Sequence, residues 1–218
     1  MFEKKNIESK KILKIGILGS TNGTTMVPII NAINNGQLNA EIVIVISNKL
    51  ESGIIEKAKI YGINYQYLNT KDLNDKNKKR KDFDEEVTKV LKENNVDMVL
   101  MIGYMRIVSI EFCNKWKYRC FNVHPSLLPE FKGGMDMDVH SSVIKSGKKV
   151  TGCTIHIVSE KVDEGKIVFQ SKCEVKNNDT PETLKKRVQE LEGEAFIIVI
   201  EKFSKIYQES VEFIENYW

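Results

Sequence analysis

The sequence has few of the residues from which metal sites and disulfide frameworks are built. Its 218 residues include three histidines, which are scattered, and four cysteines, none of which forms a C-x-x-C pair. The sequence therefore predicts no metal. The thiols lie near predicted strands and short helices, so we expect them to be reduced and buried, as in a cytoplasmic protein. They are Cys113, Cys120, Cys153 and Cys173.

Long apolar runs and a strong charge of one sign are also missing. No run of 18 apolar residues occurs and the N-terminus lacks the apolar core of a signal peptide, which predicts a soluble chain without a membrane partner. The net charge is only +3, from 33 basic and 30 acidic residues, which argues against a nucleic-acid partner. Two local basic clusters, at 1–11 and 74–82, are predicted to be a flexible N-terminal tail and a solvated helix entry.

Strand-like and helix-like segments alternate along the rest of the chain, which is predicted to be a single domain over residues 12–218. Apolar runs predict strands at 13–19, 41–47, 63–68, 96–103 and 118–123, with helices at 26–36, 52–61 and 82–94. Two alternating runs, at 150–158 and 166–175, predict an antiparallel hairpin, and Thr180 with Pro181 opens a long helix. The sequence thus predicts an α/β fold: a doubly wound, mostly parallel, Rossmann-like sheet with a C-terminal antiparallel hairpin and long helix.

The first strand is followed by the loop GSTNGTT and then by a helix. Unpaired amides and the dipole at such a helix start suit an anion such as phosphate. The loop is neither G-x-G-x-x-G nor the lysine-containing ATP-binding loop. Spacing alone therefore leaves two alternatives open, an anion site and a tight turn that binds nothing.

Polar side chains follow two apolar strands that are expected to end in one crevice. Arg106 follows the fourth strand, and Asn122 and His124 end the fifth. Residues two apart in extended chain point to the same side, so a carboxamide and an imidazole would face the crevice together. Such a pair can stabilise an oxyanion if a carboxylate holds the ring charged. Asp163, in the hairpin turn, is the best-placed candidate, and Glu160 and Glu164 compete by type.

The other two histidines carry weaker indications. His156 lies within a predicted strand, where a structural role is favoured. His140 begins a predicted helix after a glycine-containing loop, so a lid or substrate-side role and a plain surface role are equally open.

Three strings together resemble the folate-dependent formyltransferases, and within them the enzymes that formylate glycinamide ribonucleotide. They are FNVHPSLLP at 121–129, YMRIV at 104–108 and VDEG at 162–165, and the similarity covers roughly residues 12–200. The resemblance implies transfer of a formyl group from 10-formyltetrahydrofolate, a co-substrate, to the amine of glycinamide ribonucleotide. It also implies an enzyme of purine biosynthesis with small-molecule partners only, active as a monomer or homodimer.

The resemblance assigns roles residue by residue. Asn122, His124 and Asp163 would be catalytic. Gly23, Thr24, Thr25, Met26 and Glu192 would bind the ribonucleotide, and Arg80, Met105, Arg106, Ile107, Val108 and Asn122 would line the folate site. Residues 12–110 would form a ribonucleotide-binding half and residues 111–218 a folate and catalytic half.

The sequence departs from the family pattern at three places. Loop 133–140 is longer than the commonest version, Gly193 stands where a His is usual, and Ile197 replaces a typical proline. Four alternative functions fit the sequence less well. Length argues against a formyltetrahydrofolate hydrolase and a methionyl-tRNA formyltransferase, which need additional domains. The missing G-x-G-x-x-G argues against a nucleotide-binding module, and an intact catalytic trio argues against an inactive binding protein.

Overall fold

A seven-stranded sheet forms the centre of the protein in the computed structural model, which describes residues 11–69 and 76–209. The strands are β1 (Leu13–Leu18), β2 (Ala40–Ser47), β3 (Tyr65–Tyr67), β4 (Met98–Met101), β5 (Cys120–His124), β6 (Val150–Ile157) and β7 (Ile167–Glu174). Their order in the sheet is β3-β2-β1-β4-β5-β6-β7. The first five strands are parallel, β6 is antiparallel to β5, and β7 is antiparallel to β6. The predicted mostly parallel sheet and C-terminal hairpin are confirmed.

Six helices connect and cover the strands within the described ranges 11–69 and 76–209. They are α1 (Met26–Asn34), α2 (Gly53–Ile60), α3 (Lys76–Glu93), α4 (Ile110–Lys115), α5 (Met137–Lys145) and α6 (Pro181–Glu209). Helix α3 starts at Lys76 rather than at the predicted residue 82, because the lysine-rich stretch before the apolar stripe has good helix formers and no Gly or Pro. Strands β3 and β4 are shorter than predicted, although Asp97 N and Ile102 N still donate to the carbonyls of neighbouring β1.

The start of α6 shows why the sequence begins a helix there. The Thr180 hydroxyl accepts a hydrogen bond from Thr183 N, and the Thr183 hydroxyl accepts one from Thr180 N, at 3.3 and 2.9 Å. Two amides without intrahelical partners are thereby satisfied, and Pro181 needs none. The long C-terminal helix that the sequence predicts is confirmed.

Apolar side chains pack against both faces of the sheet. On one face α1, α5 and α6 bury a cluster around Ile15, Ile17 and Phe121. On the other face α3 and α4 bury a second cluster that includes Phe83 and Phe112. Burying one side chain of this size stabilises the fold by about 1.5–3 kcal/mol. Strands from both predicted halves, residues 12–110 and 111–218, belong to one sheet. The assignment of ribonucleotide binding to the first half and of folate binding and catalysis to the second stays a prediction.

The packing around Gly193 accounts for the glycine at a position where the family usually has a His. Helix α6 runs unbroken through this residue, and a Cβ there would lie 2.6 Å from Pro28 Cγ in α1. The two helices therefore cross at a distance that only glycine allows. This crossing places Glu192 beside the N-terminus of α1.

The chain leaves β1 toward β2 on one side and returns to β4 on the other, which makes the β1–β4 boundary the switch point of the sheet. The loops after these strands contact each other: Ser20 N donates to Gly103 O, and Met105 N donates to the Ser20 hydroxyl. Gly103 has φ +59°, and a Cβ there would overlap the Thr21 hydroxyl. A crevice opens above this contact.

All four cysteines are free thiols. Cys113, Cys120 and Cys153 are buried and Cys173 is half-buried. Burial raises the pKa of Cys113 to about 11 and that of Cys153 to about 12, and it also raises the pKa values of Cys120 and Cys173. The predicted burial is thus found for three of the thiols, and Cys173 is only half-buried.

Within the parts of the chain that the structure describes, no helix combines the length and apolar character that crossing a membrane requires. The predicted N-terminal tail lies outside the described residues, apart from residue 11.

Candidate active site

A cavity of about 260 Å³ lies at the carboxyl ends of β1, β4 and β5, at the switch point. Its wall brings together most of the residues that the sequence singled out: Gly23, Thr24, Thr25, Met105, Arg106, Ile107, Val108, Asn122, His124, His140, Asp163 and Glu192. Two predicted residues do not reach it. Met26 is fully buried in the core, and Arg80 lies on an exposed part of α3.

His124 and Asp163 form a buried pair in this cavity. His124 Nδ1 lies 3.1 Å from Asp163 Oδ2, and the two side chains are only 3% and 7% exposed. Asp163 sits in the β6–β7 connection with φ +57°, and its Oδ2 also accepts from Gly133 N at 2.8 Å. Burial alone would raise the pKa of Asp163, but hydrogen bonds to its carboxylate, led by the one from His124, outweigh burial and hold the pKa well below its usual value.

Both ring nitrogens of His124 face acceptors. Nδ1 faces the Asp163 carboxylate, and Nε2 lies 3.1 Å from the carbonyl oxygen of Phe131. A carbonyl oxygen and an ionised carboxylate only accept, so the ring satisfies both when each nitrogen carries a proton. The surroundings therefore suit a charged imidazolium, the form that donates most strongly to an oxyanion.

Asn122 is oriented by His156, a residue for which the sequence favoured a structural role. His156 Nδ1 lies 3.0 Å from the carbonyl of Ile157, so this nitrogen carries the proton and Nε2 is left to accept. Nε2 lies 3.1 Å from Asn122 Nδ2, closer than its 3.4 Å to Asp163 Oδ1. One N–H of the Asn122 amide is thus held by His156, which leaves the second N–H for an acceptor in the cavity that Asn122 lines.

The role of His156 depends on the register of the antiparallel strands β5 and β6, which the sequence alone does not reveal. Asn122 pairs with His156, and His124 pairs with Thr154. Thr154 supports the turn after His124: its hydroxyl donates to Ser126 O and accepts from Leu128 N, at 2.7 and 3.0 Å. Alternation along β6 indicates that residues 154 and 156 share a face, but only the register shows what that face meets.

The loop before α1 forms one end of the cavity. Gly23 has φ +64°, and a Cβ there would lie 2.5 Å from Ile54 Cγ1, so the loop packs closely on α2. The Thr25 hydroxyl donates to Glu192 Oε2 at 2.8 Å. Burial raises the pKa of Glu192 to about 7, although the hydrogen bond from Thr25 opposes the shift. Amide donors at a helix start and a carboxyl group thus lie side by side.

The loop after β4 forms the other end. The Arg106 guanidinium lies 4.0 Å from the centre of the Phe83 ring, next to buried Asp84. Burial raises the pKa of Asp84, and hydrogen bonds to Ser109 and the charges of Arg106 and Arg80 oppose the shift. Ile107 is 46% exposed at the rim. This end therefore offers an apolar surface, a half-buried guanidinium and a buried carboxyl group.

His140 is 1% exposed, which excludes the plain surface role that the sequence left open. Burial lowers its pKa to about 4, so the ring is neutral at neutral pH. Among the side chains that the structure describes, its Nδ1 is one of four buried polar atoms without a hydrogen-bond partner, with Asp84 Oδ1, Tyr104 Oη and Arg106 Nε. The described residues contain no group of three or more His, Cys, Asp or Glu that could hold a metal ion.

Comparisons with known proteins agree on one family. Residues 13–200 match the protein family described as formyl transferase. The trifunctional purine biosynthetic protein adenosine-3 of Gallus gallus is 41% identical over 190 residues, which are 87% of this chain and 18% of that protein. The chain therefore spans less than a fifth of the length of this relative. The phosphoribosylglycinamide formyltransferase of Haemophilus influenzae is 31% identical over 192 residues, covering 88% of this chain and 87% of that protein.

Solved structures show the same similarity. The glycinamide ribonucleotide transformylase 1 of Symbiobacterium toebii superposes with a TM-score of 0.82 at 30% identity, covering 89% of this chain and 88% of that one. The phosphoribosylglycinamide formyltransferase of Brucella melitensis superposes with a TM-score of 0.80 at 34% identity, covering 89% and 96%.

Proposed function

Because the chain belongs to the formyl transferase family, we propose that it transfers a formyl group from 10-formyltetrahydrofolate to the amine of glycinamide ribonucleotide. Formyl transfer to this acceptor is the activity after which the relatives of similar length and fold are named. It would place the protein in purine biosynthesis as a cytoplasmic enzyme that acts on small molecules.

The observation that carries the proposal is the buried His124–Asp163 pair beside the free N–H of Asn122. Formyl transfer between two amines passes through a tetrahedral intermediate whose oxygen bears a negative charge. A charged imidazole and an amide donor that face one cavity, kept from bulk water, are the groups that stabilise such an oxygen.

The proposed reaction proceeds by direct attack. The ribonucleotide amine forms a bond to the formyl carbon, and the formyl oxygen becomes the oxyanion. This oxygen takes the place of the Phe131 carbonyl as acceptor of the His124 Nε2 proton, while Asn122 donates from the other side. The bond from the carbon to N10 of the folate then breaks. Asp163, with a water molecule, passes the proton from the attacking nitrogen to N10, and no covalent enzyme intermediate forms.

The two ends of the cavity suit the two substrates. The amides of Gly23, Thr24 and Thr25 precede a helix and suit a phosphate, and the neighbouring Glu192 carboxyl group would accept hydrogen bonds from the sugar hydroxyls. The Met105–Val108 stretch, with apolar Ile107 at the rim, would receive the folate. The 10-formyl group would then lie between them, at the trio.

The test is formyl transfer by the purified full-length chain. We expect 10-formyltetrahydrofolate to be consumed only when glycinamide ribonucleotide is added, with formylated ribonucleotide as the product. His124→Ala is expected to lose activity. Consumption of the folate without the amine would instead identify a hydrolase, and an unchanged rate in His124→Ala would overturn the proposed mechanism.

A further inference from the structure

Helix α6 presents three polar side chains to the cavity. Lys185, Gln189 and Glu192 all line it, and their spacing of four and then three residues places them on one face of the helix. Glu192 lies at the N-terminus of α1, where it accepts the hydrogen bond from Thr25. Lys185 lies two turns closer to the start of α6 and lines the same cavity.

Lys185 is held by a carboxylate from the long loop before α5. Its Nζ lies 2.6 Å from Asp136 Oδ1, with the two side chains 25% and 46% exposed. Asp136 has φ +43°, an unfavourable backbone conformation for a residue with a side chain. In the described structure its carboxylate bonds to Lys185 and caps no amide of α5. The ion pair therefore holds the loop against α6.

Lys185 supplies the positive charge at this end of the cavity. Apart from His124, the cationic side chains that line the cavity within the described residues are Arg106, Lys161 and Lys185. The guanidinium of Arg106 stacks on Phe83 at the opposite end, and Lys161 is 72% exposed beside Glu164. The charges of Lys185 and Asp136 both act on Glu192 and on His140, so the pair is within electrostatic reach of the ribonucleotide end.

We propose that Lys185 is a specificity-determining residue that binds the ribonucleotide phosphate, and that Asp136 occupies its ammonium group until the phosphate replaces the carboxylate. The identity of the anion rests on the proposed function. A phosphate dianion beside the α1 N-terminus has helix amides on one side and needs a cation on the other. Its greater charge and additional acceptor oxygens favour it over the single, half-exposed carboxylate of Asp136.

The experiment compares Lys185→Met with Lys186→Met, a substitution of the adjacent exposed lysine. Loss of one hydrogen bond to a charged group corresponds to a KM for glycinamide ribonucleotide that is about 10- to 100-fold higher in Lys185→Met. We expect an unchanged KM for the formyl folate, an unchanged kcat at saturation, and wild-type behaviour of Lys186→Met. With glycinamide riboside, which lacks the phosphate, Lys185→Met and the wild-type protein should have the same kcat/KM.

A second variant, at Asp136, tests whether the phosphate replaces the carboxylate at the Lys185 ammonium group. Asp136→Asn removes the competing carboxylate and is expected to lower the KM for the ribonucleotide. Wild-type KM values in both Lys185→Met and Asp136→Asn, or an equal loss with the riboside, would overturn the proposal while the wild-type activity still supports the proposed function. A wild-type protein that formylates neither amine would overturn the proposed function itself.

Discussion

Replacing Asp163 by Asn tests whether the buried carboxylate keeps His124 charged. The substitution preserves the shape of the side chain but removes the negative charge that lies 3.1 Å from His124 Nδ1. Breaking a buried ion pair while one charge stays in place costs about 3–5 kcal/mol. Without the carboxylate, the His124 ring loses the partner that orients it and favours its charged form, and it stabilises an oxyanion less well.

The expected magnitude follows from the loss of one strong donor. Removing such a donor lowers kcat by about 10²- to 10³-fold, or about 2.7–4 kcal/mol. We expect this loss at neutral pH with both substrates saturating. Steady-state formyl transfer measures it.

Folding supplies a second readout with a defined sign. The pKa of Asp163 is lower in the folded protein than its usual value of 3.8, so the carboxylate stabilises the fold above that pH and the contribution is lost as the pH falls further. The stability difference between wild-type protein and Asp163→Asn should therefore be largest at neutral pH and shrink in acid. Urea unfolding at several pH values measures it.

Glu164→Gln is the matched control, because it neutralises the next carboxylate, which pairs with Lys132 on the surface. It should retain wild-type kcat. A folded Asp163→Asn protein with kcat within about threefold of wild type, or a Glu164→Gln protein with the larger loss, would refute the reasoning.

Three further substitutions test other parts of the structure. The pKa of Glu192 is raised from 4.5 to about 7, so the free energy of unfolding of the wild-type protein should fall by about 3 kcal/mol relative to Glu192→Gln as the pH rises between these values. Urea unfolding measures this difference, and an equal pH dependence of the two proteins would contradict the prediction. His156→Phe removes the acceptor that orients Asn122 and should lower kcat by about tenfold without raising either KM, whereas a change in KM alone would indicate a binding role. Gly193→Ala places a Cβ 2.6 Å from Pro28 Cγ and should destabilise the fold by about 1–3 kcal/mol, visible as a lower Tm; an unchanged Tm would show that the helices can separate without cost.

The sequence was informative wherever a local pattern determines structure. Apolar runs ending in polar residues predicted the parallel strands and placed Asn122 and His124 at one crevice. The pattern Thr180–Pro181 predicted the start of α6. Asp163 was found as the nearest suitable carboxylate in a turn, and its positive φ and contact with Gly133 N could not be inferred from residue type.

The missed features depend on contacts between distant segments. His156 orients Asn122 only because the β5–β6 register places them opposite each other, and a shift by one residue would turn His156 away. The Phe131 carbonyl near His124 Nε2 is a backbone group, so its contact cannot be predicted from the type of residue at position 131. The Lys185–Asp136 pair joins α6 to a loop whose backbone conformation is unusual for aspartate, and Met26 points into the core because α1 turns that face inward.

The buried cysteines can be used to measure local unfolding of the native protein. Thiolates, not thiols, react with alkylating and disulfide reagents, and burial raises the pKa of Cys113, Cys120 and Cys153 well above neutral pH. Their labelling in the native protein should therefore proceed only through transient openings, each cysteine at the rate of the segment that covers it. Cys113 lies in α4, Cys120 starts β5, and Cys153 is central in β6. Mass-resolved labelling of these three positions would give a map of local unfolding without any introduced probe.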